Sequence, residues 1–102
     1  MVGLIEDKRE AIAALCRKYG AVSMHVFGSA ARDDFRPGRS DVDLLVDFGS
    51  MDPFELIDAY FDLLEELRSL LGTEVDLVMS DAIKNRYIMA EVERTKQELY
   101  AA

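Results

Sequence analysis

The chain has one cysteine, one histidine and no apolar run of the length a membrane span needs. A single cysteine, Cys16, excludes a disulfide framework and a cysteine-based zinc site, and it suits a reducing compartment. The single histidine, His25, has no second imidazole with which to build a metal centre and reads as structural. Positive charge is scarce as well. Twelve Lys and Arg face twenty Asp and Glu, for a net charge of −8, which opposes attraction to a polyphosphate backbone and argues against general nucleic-acid binding. The opening MVGLIEDKRE lacks the basic start and apolar middle of a signal peptide. These absences point to a cytoplasmic protein that does not engage membranes. With no repeat, low-complexity tract or linker, residues 1–102 read as a single domain.

What is present is an alternation of helical and strand periodicities. Ile12, Leu15, Cys16 and Tyr19 follow helical spacing, which predicts a helix over Ile5 to Tyr19 stopped by Gly20, with Cys16 as a small buried hydrophobe. Ala21 to Phe27 and Asp41 to Phe48 read as strands, joined by a short helical turn and a loop over Ala30 to Ser40 that carries Pro37 and Gly38. Asp52, Pro53 and Glu55 combine an N-cap acid, a first-position proline and a first-turn acid. They predict a helix running to Leu71, stopped by Gly72. Glu74 to Met79 reads as a third strand, and Ser80 or Asp81 as the cap of a last helix reaching about Tyr100, with a break near Asn85. On that helix Glu91, Glu93, Arg94, Lys96 and Glu98 read as a solvated face. The fold class is α/β (α+β): a small mixed β-sheet with flanking helices.

The chemistry concentrates in VFGSAARDDFRPGRSDVDLLVDF, Val26 to Phe48. In the strand DVDLLVDF, Asp41 and Asp43 share one face while Val42, Leu44, Val46 and Phe48 share the other. Two carboxylates at i and i+2 lie about 6.6 Å apart along a strand, close enough to hold a cation between them. In EVDLVMS, Asp76 alternates with Val75, Leu77 and Met79 and joins the pair if the two strands are neighbours. Three convergent carboxylates suit a two-metal phosphoryl-transfer centre, since Mg²⁺ prefers oxygen ligands and must offset triphosphate charge. Upstream, Gly28 allows a close backbone approach and Ser29 offers a hydroxyl to a phosphate. Residues and spacing reach metal-dependent nucleotidyl transfer and no further.

Gly28 and Ser29, a spacer, then Asp41 and Asp43, then Asp76 on a later strand: this order resembles the minimal nucleotidyltransferases (MNT) of the DNA polymerase β-like superfamily, over nearly the whole chain. The spacer, Ala30 to Ser40, is one residue longer than the usual pattern, an insertion that a loop tolerates. Size and the C-terminal AIKNRYIMAEVERTKQELYAA resemble the MNT antitoxins of HEPN-MNT toxin-antitoxin pairs. The resemblance implies a polymerase β-like nucleotidyltransferase fold and transfer of AMP from ATP to a tyrosine of a partner HEPN ribonuclease toxin. It implies Asp41 and Asp43 holding two Mg²⁺ ions, and Asp76 completing the catalytic one and assisting deprotonation of the acceptor. Gly28 and Ser29 would bind the leaving phosphates, and Arg32 would counter triphosphate charge. A transferase acting on a small molecule or an RNA end, and a non-catalytic antitoxin acting by binding alone, remain alternatives.

Lys84 and Arg86 are weaker candidates for triphosphate contact, and Asp33, Asp34 and Asp47 read as solvent-facing or loop residues. On the helix from Pro53 to Leu71 the apolar positions cover an arc of about 200°, wider than packing on one sheet requires. Tyr60, Leu63 and Leu67 are therefore expected to help form an interface with a second copy or a HEPN-type toxin, giving a homo- or hetero-oligomer.

Overall fold

The computed structural model describes residues 1–32, 34–36 and 39–102. The turn expected at Pro37 and Gly38 and the solvent-facing position expected for Asp33 lie outside the described residues. The elements are α1 (Gly3–Asp7), α2 (Arg9–Tyr19), β1 (Ser23–Phe27), α3 (Ser29–Arg32), β2 (Val42–Asp47), α4 (Pro53–Leu71), β3 (Val75–Met79), a 3₁₀ turn (Ser80–Ala82), α5 (Arg86–Thr95) and β4 (Gln97–Ala101). No helix among the described residues is long and apolar enough to cross a membrane.

The strands form one mixed sheet in the order β3-β2-β1-β4. β1 runs antiparallel to both β2 and β4, and β2 runs parallel to β3 through the crossover helix α4. The period-2 alternation read from the sequence decides which side each residue faces. Met24, Val26, Val42, Leu44, Val46, Val75 and Leu77 face one side, where they join Ile5, Ile12, Cys16, Leu63, Leu67 and Leu71 from α1, α2 and α4 in the main core. Phe27 and Leu45 face the other side and are covered by Val92 of α5, with Val78 and Ile83 packed alongside. One face of the sheet is thus sealed by α1, α2 and α4, with Ala30 and Ala31 of α3 at its margin, and the other by α5 with Ile83. Asp43 and Asp76 belong to the second face.

The helix starts and stops follow local chemistry. The Asp52 carboxylate accepts from the backbone N–H groups of Phe54 and Glu55 at 3.1 and 3.3 Å, and α4 closes on Gly72 in the left-handed conformation, φ +66°. The expected first helix is divided at Lys8, where the chain turns so that Ile5 enters the core.

Two expectations are corrected. The last helix does not run to Tyr100. α5 is capped by the Asn85 side chain, which accepts from Tyr87 and Ile88 N–H, and ends at Thr95. Gln97 to Ala101 then cover the open edge of β1, with Leu99 buried. Five residues with one fully buried apolar position are too few for the sequence to separate a period of 2 from one of 3.6, and pairing with β1 decides it. Second, Leu63 and Leu67 are not a surface flank: both are 0% exposed and central to the core, while Tyr60 is half-buried and donates its hydroxyl proton to the Leu77 carbonyl at 2.5 Å. The apolar residues that face outward on α4 are Phe54, Ile57 and Phe61.

Candidate active site

Asp43 stands opposite Phe27 on β1 and opposite Asp76 on β3, so the two carboxylates are direct neighbours across parallel strands. Asp41 precedes β2 by one residue and is exposed, and its charge acts on Asp43. Burial, followed by the charges of Asp76 and Asp41, pushes the Asp43 carboxyl up to about 6; Glu91 adds to the rise and Arg32 opposes it. The three sequence-predicted acids therefore share one electrostatic site. Among the described residues no three donor groups close into a metal-binding cluster. The carboxylates of Asp43 and Asp76 are hard oxygen donors, the kind Mg²⁺ takes one or two at a time, with substrate phosphate oxygens and water completing its shell.

Gly28 ends β1 with φ +69°, and a Cβ placed there would lie 2.8 Å from Oδ2 of Asp43. The missing side chain makes room for the Asp43 carboxylate, and the left-handed turn is one that glycine adopts without strain. The Gly28 carbonyl accepts from the N–H groups of Ala31 and Arg32, both at 3.1 Å, and so begins α3. Ser29 opens that helical turn, half-buried, and among the described residues its hydroxyl has no hydrogen-bond partner. Arg32, at the end of α3, is ion-paired to Asp34 at 3.3 Å and to Glu91 of α5.

Between α5 and the sheet lies a cleft of 660 Å³. Asp43, Asp76 and Glu91 give it a charged end, Phe27, Val78 and Ile83 an apolar floor, and Tyr87 and Ile88 a rim. Lys84 lines it too, whereas Arg86 does not. Tyr87 is 82% exposed, an unusual setting for an aromatic ring at the mouth of a cleft. Asp34 serves as the exposed partner of Arg32, and Asp47 accepts from Gly49 N–H at 2.8 Å in a tight turn; neither lines the cleft. Cys16 is buried on the opposite side of the sheet, and burial pushes its thiol up to about 11, which makes it inert.

Three contributors were not singled out for the site from the sequence. Glu91 holds Arg32, Thr95 accepts the Gly28 N–H at 3.0 Å, and Tyr87 forms the rim. Only Tyr87 had a local signal, because Asn85 as an N-cap fixes where α5 begins and so which residues lie in its first turn.

The profile of the nucleotidyltransferase domain matches residues 8–99. A provisionally named protein adenylyltransferase of Methanocaldococcus jannaschii is 42% identical over 81 residues, spanning 78% of this chain and 76% of the relative. A solved structure described provisionally as a minimal nucleotidyltransferase superposes with a TM-score of 0.76 at 35% identity, covering 91% of this chain and 90% of that one. The fold is also that of an MNT antitoxin solved with a tri-AMPylated HEPN toxin from Shewanella oneidensis (TM-score 0.65, 21% identity, 95% of this chain and 72% of that chain). With its sheet, its acidic site and its family profile in agreement, this chain belongs to the nucleotidyltransferase domain family.

Proposed function

We propose that the protein transfers AMP from ATP to a tyrosine hydroxyl on a partner HEPN-type toxin and thereby neutralises it. The observation that carries this reading is the neighbouring pair Asp43 and Asp76, on which the charge of Asp41 acts, lining a cleft whose remaining surface is mainly apolar and also carries Lys84 and Asn85. Such a cleft divides in the way a nucleoside triphosphate does, with phosphates toward the acids and base toward Tyr87, Ile88 and Ile83. The adenylyltransferase name of the archaeal relative and the AMPylated toxin beside the Shewanella antitoxin support adenylyl transfer and a HEPN partner.

Asp41, Asp43 and Asp76 would hold Mg²⁺, which when bound offsets triphosphate charge and polarises the α-phosphate. The chain's own groups then have distinct tasks. Asp76, exposed at the cleft, takes the proton of the acceptor hydroxyl. The hydroxyl oxygen bonds to the α-phosphorus in line, the bond from the α-phosphorus to the bridging oxygen breaks, and pyrophosphate leaves with the electron pair. Ser29 and Arg32 bind the departing phosphates, for which Arg32 exchanges Glu91 and Asp34 for phosphate oxygens. Gly28 contributes space for Asp43 and a fixed turn for Ser29.

The test is an incubation of the purified protein with α-labelled ATP, Mg²⁺ and a HEPN toxin. Label is expected on a toxin tyrosine, with loss of ribonuclease activity, and Asp43→Asn should give neither. Inhibition of the toxin without incorporated label would overturn enzymatic transfer in favour of inhibition by binding.

A further inference from the structure

Thr95 is the one buried polar or charged residue among the described residues, 7% exposed, and it sits at the last turn of α5 rather than at the acidic site. Its hydroxyl makes two hydrogen bonds. Oγ1 donates to the Glu91 carbonyl one turn back at 2.7 Å, and accepts from the Gly28 N–H at 3.0 Å across 67 residues of sequence. Donation to the carbonyl fixes the hydroxyl proton, so a lone pair faces Gly28. Bonding back to the i−4 carbonyl does nothing for a helix, and a β-branched residue is a poor helix former, so local helix stability does not account for threonine here.

What the bond does is visible at Gly28. Gly28 has its Cα against the Asp43 carboxylate, its N–H on Thr95 and its carbonyl on the first N–H groups of α3. The far end of the same segment, Arg32, is ion-paired to Glu91. One helix therefore grips the Gly28–Arg32 segment at both ends, and the buried grip is Thr95.

We propose that Thr95 is a positioning residue for nucleotide transfer: by accepting the Gly28 N–H, its hydroxyl sets the Ser29 turn at a fixed separation from Asp43, so that phosphate and metal ligands face one bound nucleotide. This rests on the nucleotidyl-transfer reading above. Valine matches threonine in shape and lacks the acceptor; serine keeps the acceptor and lacks the methyl group.

The experiment measures binding of α,β-methylene-ATP with Mg²⁺ to the full chain by calorimetry, well below each variant's melting temperature, which requires no acceptor protein. Thr95→Val is expected to weaken binding about tenfold or more and to speed hydrogen exchange at the Gly28 amide, while Thr95→Ser stays within about twofold of the parent. A residue needed only for packing would give the opposite order, serine worse than valine. Parent-like affinity in folded Thr95→Val, or equal weakening in Thr95→Ser, overturns the inference and leaves the functional reading intact. Failure of the parent protein to bind the analogue overturns that reading and this inference with it. Where Thr95→Val does not fold, Thr95→Ala is compared with Thr95→Ser in the same way.

Discussion

Asp43 and Asp76 occupy paired positions on adjacent parallel strands, and Asp43 is the acid whose carboxyl is raised to about 6. Burial raises it first and the neighbouring acids second, so without a cation the ionised form is held at a cost. The folded state keeps this proton to a higher pH than the unfolded chain does. Stability from the protonated form is complete below the ordinary carboxylate range and is lost as pH rises through about 6. Asp43→Asn should therefore abolish transfer and stabilise the metal-free protein at neutral pH by about 1–2 kcal/mol, the shift being discounted for solvent screening at the open cleft. Thermal melts at pH 4.5 and pH 7.5 check this: the gain should be clearly larger at the higher pH, and an equal effect at both would refute the electrostatic origin.

The same shift makes metal binding a competition with a proton. As pH falls below about 6, Asp43 becomes protonated in the free protein, and apparent Mg²⁺ affinity should fall with it. Titrating Mg²⁺ into the nucleotide-free protein between pH 5 and 8, so that no ligand phosphate titrates in the same window, should show saturation moving to higher metal concentration at the acid end. A flat profile would show that Asp43 is not a ligand whose protonation matters.

Gly28→Ala combines two faults. It forces an L-residue to φ +69°, and it sets a methyl group 2.8 Å from Asp43 Oδ2. A stability loss of about 1–2 kcal/mol is expected, together with a displaced Asp43 and loss of transfer. In an Asp43→Ala background the steric part disappears, so the stability cost of Gly28→Ala should shrink while the backbone part persists. Full additivity of the two substitutions would show that the close approach has no energetic consequence.

How much of this was legible in the sequence depended on the range of the interaction that fixed each feature. α4 was readable because Asp52, Pro53, Glu55 and Gly72 act within one turn of its ends. The pairing of Asp43 with Asp76 was readable because each alternates with apolar neighbours along its strand; Asp41, read as the first residue of the Asp43 strand, lies one residue before it. Thr95 on Gly28 and Glu91 on Arg32 join residues 67 and 59 positions apart, and neither member carries a local mark of its partner. β4 depended on the free edge of β1. The apolar arc of α4 had a readable width but no readable centre: the centre is Leu63 and Leu67, and the surplus is Phe54, Ile57 and Phe61.

That placement separates two kinds of apolar residue on one helix. Leu63 is 0% exposed and Phe61 is 61% exposed, two positions away. Leu63→Ala should cost about 2–5 kcal/mol through lost burial and a residual cavity, and Leu63→Glu should not fold. Phe61→Ala should stay within about 0.5 kcal/mol of the parent protein. Urea denaturation of the two alanine variants is sufficient, and equal losses would contradict the observed facing of α4.

At the cleft rim, Tyr87 tests where the base lies. The ring is 82% exposed and borders the same cleft as Asp43 and Asp76, so it has a free face on which a nucleobase can stack. Stacking of a base on an aromatic side chain is worth about 1–3 kcal/mol, and the lower figure corresponds to about fivefold in affinity. Tyr87→Ala should therefore weaken binding of Mg²⁺-ATP about fivefold or more, while Tyr87→Phe, which keeps the ring, should stay within about twofold. Inorganic tripolyphosphate with Mg²⁺ has no base and should bind the parent and Tyr87→Ala equally, which separates a lost stacking surface from a disturbed phosphate site. If Tyr87→Ala weakens ATP and tripolyphosphate alike, the ring acts on the phosphate end or on α5 as a whole. If it weakens neither, the base lies elsewhere in the cleft.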